Sequence, residues 1–213
     1  PTKWADKYPD LYPVLGGKRR IPGPGNSGAW QPRLSQPKAV EVTMEYARAY
    51  FKQYPDRGSL SLGINDGGGY CETELDNSLP KGSRFAPVYF NYANAVARAF
   101  DKEFPDRYLG FLLYGEAKVP PKNLSVHPRL IGFLVVPSWT LIAEEGRGEF
   151  SRLISEQKTV TPRFALYDWY YGAQMYVPRL QIRPAQQWLR EGYQAGARHV
   201  KAEAYPNWGL DGF

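Results

Sequence analysis

Between Pro37 and Tyr54 the apolar positions Val40, Met44, Ala47 and Phe51 recur at the spacing of one helix face, and Tyr54-Pro55 ends the run. Gly58 then leads into the stretch 59–64, SLSLGI, whose Leu60, Leu62 and Ile64 alternate as in a strand. The same order returns further on. Pro87 can open a helix in which Tyr89, Ala93, Val96, Ala97 and Phe100 share a face, Phe104-Pro105 closes it, and YLGFLLYG (108–115) reads as a buried strand. The stretches QYPDRGSLSLGIND and EFPDRYLGFLLYGE thus share one plan: helix end, Pro-Asp-Arg, strand, acidic residue. Either shared helix-to-strand turn chemistry or a duplicated unit explains the repeat. After a short proline-bearing connection, LIGFLVV (130–136) is a third strand. A helix near 144–157, the strand RFALYDWY (163–170), a helix opened by Pro184 with Ala185, Trp188, Leu189 and Gly192, and the strand HVKAEAY (199–205) complete the series. Residues 1–36 carry scattered prolines and glycines without a period, which predicts an extended wrapping segment ahead of a domain spanning 37–213.

Near-continuous apolar strands separated mostly by amphipathic helices predict a parallel sheet covered on both faces, doubly wound or barrel-forming. The glycines at 67, 68 and 69 are consecutive, so no Gly-x-Gly-x-x-Gly follows a strand, and no Gly-Lys-Ser/Thr closes a phosphate loop. What the strands share is a polar or acidic residue at the C-terminal end: Asp66, Glu116, Asp168 and Glu203, with Ser138-Trp139 ending the third. Barrel enzymes place their chemistry there. The expected fold class is therefore α/β, an incomplete TIM-barrel-type (β/α) barrel with five parallel strands and four helices. An eight-stranded barrel needs roughly 250 residues, so another chain, or a second copy in a homo-oligomer, has room to complete it.

Composition narrows the partners. At 213 residues, 43% hydrophobic and 23% charged, the chain can bury a sizeable core in one domain. No apolar run approaches the roughly 20 residues of a membrane span. Pro1 stands where an initiator methionine would, as in a processed product or a fragment, and localisation stays open. A net charge of +6 favours anionic partners, yet the basic residues are spread out, the densest group being Lys18, Arg19 and Arg20. Nucleic acid ranks well below an acidic sugar on that distribution. The single Cys71 forms no internal disulfide, and with only His127 and His199 there is no structural zinc cluster, so neither metal nor cofactor is implied. Aromatic residues make up 15% of the chain, more than its core requires, which points to a surface for stacking.

Four carboxylates at four strand ends converge on one mouth if the strands are barrel neighbours, and glycosidic hydrolysis needs such a pair: one acid for the leaving oxygen, one carboxylate as nucleophile or base. The ordinary alternative for any single one of them is a cap on the next helix or an ion pair with arginine. Asp66 and Glu203 are the leading candidates, with Glu116 and Asp168 as alternates. Asn65 would hold a sugar hydroxyl or orient Asp66, and the glycine run would let the chain turn away and leave Asp66 uncovered. Sugar rings stack on aromatic faces, so Tyr70, Tyr114, Trp139, Trp169, Tyr170, Tyr205 and Trp208, with Asn207 among them, are candidate subsite walls. Tyr167 and Tyr171 fit core packing better. Arg179 could meet a substrate carboxylate or sulfate, although an exposed arginine paired with an acid is the commoner state. Cys71 reads as a small buried thiol and His127 as structural. A competing class is a noncatalytic carbohydrate-binding or assembly protein derived from a barrel enzyme. A metal-dependent hydrolase using the same carboxylates would require a bound cation.

The segments LGINDGGGYCETE, YLGFLLYGEAKVPP, ALYDWYYGAQMYVPRL and AEAYPNWGLDG together resemble a bacterial family, domain of unknown function 4838, from about Pro37 to Phe213. AEAYPNWGLDG carries the most specific part of the resemblance. The resemblance implies a glycoside-hydrolase-type barrel akin to α-glucuronidases and hexosaminidase-like enzymes, a carbohydrate ligand, and a secreted or periplasmic setting. The family often continues the glycine loop with a Cys-x-Cys-x-x-Cys-like pattern. Here Cys71 is followed by Glu72, Thr73 and Glu74, so no role of those cysteines carries over. Family members also have strands before the first helix and chain after the last segment, which implies that this chain is the later part of a barrel or a trimmed one.

Overall fold

The computed structural model describes residues 4–23, 30–169 and 182–203. Near the N-terminus β1 (Val14–Leu15) pairs antiparallel with β2 (Lys18–Arg19). Gly16 and Gly17 make the turn at φ 59° and 69°, the left-handed conformation that a two-residue hairpin of this hand requires. The hairpin interrupts the extended chain that the scattered prolines and glycines predict, and its strands are too short for a period to register. The main body runs α1 (Pro37–Gln53), β3 (Ser59–Ser61), α2 (Ala86–Glu103), β4 (Tyr108–Leu113), β5 (Leu130–Val135), α3 (Glu144–Val160), β6 (Phe164–Trp169), α4 (Ile182–Ala195) and β7 (His199–Glu203).

The sheet order is β3-β4-β5-β6-β7, and every pair in it is parallel. Sequential order with helical crossovers is the winding of a (β/α) barrel, so the fold is an incomplete α/β barrel: five parallel strands and four helices. Leu60, Leu109, Phe111, Leu113, Leu130, Leu134, Phe164 and Leu166 face the helix layer, packed with Met44, Phe51, Phe90, Val96, Phe100, Phe150 and Trp188. The alternate residues, including Leu112, Val135 and Tyr167, face the concave side. The β4-to-β5 crossover has a short 3-10 turn (Gly115–Ala117) in place of an α-helix. Buried Asn94 of α2 secures the return, its Nδ2 donating to the Ser125 carbonyl and its Oδ1 accepting from the His127 amide.

β3 ends at Ser61, short of the alternation that runs to Ile64. The Tyr89 hydroxyl explains the difference: it donates to the Leu62 carbonyl at 2.7 Å and accepts from the Leu112 amide at 3.0 Å. One side chain thus stands between β3 and β4 where the ladder would continue, and the strands part around it. No helix among the described residues is long and apolar enough to cross a membrane.

Candidate functional site

β3 and β7 are the two edge strands, four strand spacings apart. On a flat sheet that would separate them by roughly 19 Å. Nevertheless Asp66, just past β3, and Glu203, the last residue of β7, line one cavity of about 270 Å³ with Tyr114, Tyr167 and Trp169. The sheet therefore curls enough to bring its opposite edges to a common mouth. Asp66 is exposed and makes no hydrogen bond or ion pair among the described residues. Glu203 is half-buried, and its Oε1 accepts a hydrogen bond from the Tyr167 hydroxyl. The Lys201 ammonium lies 4.6 Å from the centre of the Tyr167 ring on the same face. The Tyr114 and Trp169 rings meet edge to face at 5.8 Å.

The loop carrying Asp66 is held from both sides. Gly67 and Gly69 sit at φ 85° and 76°, where a Cβ would strain the chain. Ahead of them, the fully buried Gln31 exchanges two side-chain hydrogen bonds with the backbone of Asn65, at 2.7 and 3.0 Å. Behind them, the Gln31 amide donates to the Gly69 carbonyl at 3.1 Å. Asn65 itself turns its side chain to the N-terminal segment, donating to the Trp30 carbonyl at 2.9 Å, away from the Asp66–Glu203 cavity.

A second, larger lobe of about 720 Å³ shares the walls Tyr114, Val135 and Trp169 with the first. Gly67, Gly68, Tyr70, Gly82, Glu116, Lys81, Lys118 and Arg152 also line it. Glu116 stands at this lobe with both oxygens engaged, Oε1 by Arg84 Nη2 at 2.5 Å and Oε2 by Arg84 Nε at 3.1 Å and the Gly82 amide at 2.9 Å. The Arg84 guanidinium holds this carboxyl below its ordinary range despite its burial. Tyr70 packs against Phe85 at 4.7 Å, and burial pushes its phenol up.

Asp168 lies on the other face of β6 from Tyr167 and Trp169 and is fully buried. Its Oδ2 accepts from the Ser138 amide at 3.1 Å and its Oδ1 from the Trp169 amide at 2.7 Å. Burial raises its pKa, and these hydrogen bonds pull the other way. Trp139 is exposed on the 3-10 turn Ser138–Ile142 and lines neither lobe. Tyr170, Tyr171, Arg179, Tyr205, Asn207 and Trp208 lie outside the described residues.

The family model described as Domain of unknown function (DUF4838) matches residues 1–206. The chain belongs to this family. A search of curated proteins returns no match. Among solved structures, this DUF4838 chain is similar to endo-glycoceramidase II from Rhodococcus sp., captured as a lactosyl-enzyme intermediate, at 12% identity and a TM-score of 0.45. The similarity covers 78% of this chain and 40% of that one, so the DUF4838 chain spans less than half of that neighbour.

Several residues of the candidate site escape a reading by residue type alone. Tyr167 looks like core, yet it reaches Glu203. The available signal is strand period: residues 167 and 169 must share a face that 168 does not. Lys81, Lys118 and Arg152 come from the loop before α2, the end of the Gly115–Ala117 turn and α3, and no local pattern connects them.

Proposed function

We propose that this domain binds and hydrolyses a glycoside, with Asp66 and Glu203 as the paired carboxylates and Tyr114 and Trp169 as stacking walls. One observation carries the reading: two carboxylates from opposite sheet edges line a single aromatic-walled cavity at the C-terminal ends of parallel strands. One acid protonates the departing glycosidic oxygen while the other, ionised, attacks the anomeric carbon or takes a proton from the attacking water. Glu203 has its carboxylate positioned by the Tyr167 hydroxyl, whereas exposed Asp66 is free to meet a ligand. The substrate proposed is a poly- or oligosaccharide, and the net charge of +6 favours an acidic one.

The test is a reducing-end assay of the intact protein on neutral, uronate-bearing and sulfated glycans, run beside Glu203→Gln. Turnover should fall roughly 10³-fold in the variant with its melting temperature preserved. Undiminished turnover in E203Q would overturn the assignment, and glycan binding without turnover in the unmodified protein would establish a noncatalytic binding module instead.

A further inference from the structure

The second lobe differs in charge from the cavity it adjoins. Lys81 is exposed at its edge and makes no ion pair among the described residues. Arg152, also exposed, spends Nη1 on Glu156 Oε1 at 2.7 Å, one helical turn along α3 and outside the lobe lining. Glu149, the second acid of the lobe lining and an exposed one, is held by Lys118 through one bond from Nζ at 2.6 Å. The buried acid of the lobe, Glu116, is already compensated by Arg84 and the Gly82 amide. An arriving anion therefore meets two incompletely used cations and no uncompensated buried carboxylate. The glycines at 67, 68 and 82 keep side chains out of the space between them, and Trp169 and Tyr114 run continuously from this lobe into the Asp66–Glu203 cavity.

We infer that the second lobe is a subsite for a sugar ring bearing an anionic substituent, a carboxylate or a sulfate, adjacent to the ring whose linkage lies between Asp66 and Glu203. Lys81 supplies a mobile point charge and Arg152 the planar donor fork, while Tyr114 and Trp169 supply the ring face on which both sugars rest. This subsite rests on the glycoside reading above and adds to it where selectivity for acidic glycans resides.

Calorimetric titration of the intact protein with matched neutral, uronate-bearing and sulfated oligosaccharides tests it, with E203Q as background so that ligands persist. Both anionic series should bind roughly tenfold or more tightly than the neutral one, as charge-assisted hydrogen bonds do, and the advantage should shrink with added salt. In Lys81→Met combined with Arg152→Met the ratio of anionic to neutral affinity should collapse toward about one, and Lys81→Arg, which keeps the charge and leaves the Arg152 fork in place, should preserve it. Preference for only one anion type supports the subsite and identifies the substituent. Equal affinity for neutral and anionic ligands, or a preference untouched by the double methionine variant, overturns the subsite and leaves the glycoside reading standing. Failure of every glycan to bind overturns both.

Discussion

At Glu116, Arg84 and the Gly82 amide occupy both carboxylate oxygens, so a residue delivered to the mouth by β4 is also part of the scaffold there. Its pKa is depressed in the folded chain, first by the Arg84 hydrogen bonds against the cost of burial. A depressed carboxylate contributes stability above its unfolded value, near 4.5, and loses it as pH falls through the folded value. Glu116→Gln should therefore destabilise by about 2 kcal/mol at neutral pH, with the difference from the unmodified protein vanishing at strongly acidic pH. Urea unfolding at pH 7 and below pH 4 checks this, and a pH-independent difference would refute the ion-pair account. Asp168 has the opposite sign, its burial favouring the protonated form, and it serves the Ser138 and Trp169 amides. In the sequence all three are acids at strand ends, with Glu116 and Asp168 ranked as alternates to Asp66. What separates them is which side of the strand each occupies and whether an arginine arrives from another element.

At the scale of elements, the repeated Pro-Asp-Arg phrase has a common geometry. Tyr54 (φ −129°, ψ 72°) and Phe104 (φ −133°, ψ 62°) end α1 and α2 alike, and the amides of Arg57 and Arg107 donate back to their carbonyls at 3.2 and 3.1 Å. That similarity is turn chemistry written locally, which is why the helix ends and the strands after them were legible in the sequence. The segment ahead of α1 is marked in the sequence only by an absence of period. Its structural consequence is the Gln31 clamp on the Asp66 loop, a contact across 34 residues of chain. Gln31→Ala should orphan part-buried backbone groups of Asn65 and cost about 1–2 kcal/mol. It should also lower turnover more than KM changes, because Asp66 loses its fixed approach. Denaturant midpoints together with steady-state kinetics would show both effects, and normal turnover in a destabilised variant would free the site from the clamp.

At the scale of the whole molecule, curvature does what no element does alone. Asp66 and Glu203 come from opposite edges of a five-stranded sheet and line one cavity because the sheet coils as its strands twist. If they act as one unit, Asp66→Asn and Glu203→Gln should not multiply: the double variant should lose about as much turnover as the worse single one. Independent, multiplicative losses would show that the two carboxylates work apart. The order of helices and strands, the parallel winding and the placement of acidic residues at strand ends were determined by the sequence itself, because period, proline position and turn chemistry act over a few residues. Which carboxylate is buried beneath a turn, which is neutralised by Arg84, which meets Tyr167, and where Lys81 and Arg152 gather were decided only by the tertiary structure. Those outcomes depend on contacts between residues far apart in the chain, and the coil of the sheet, which no local pattern encodes, sets them.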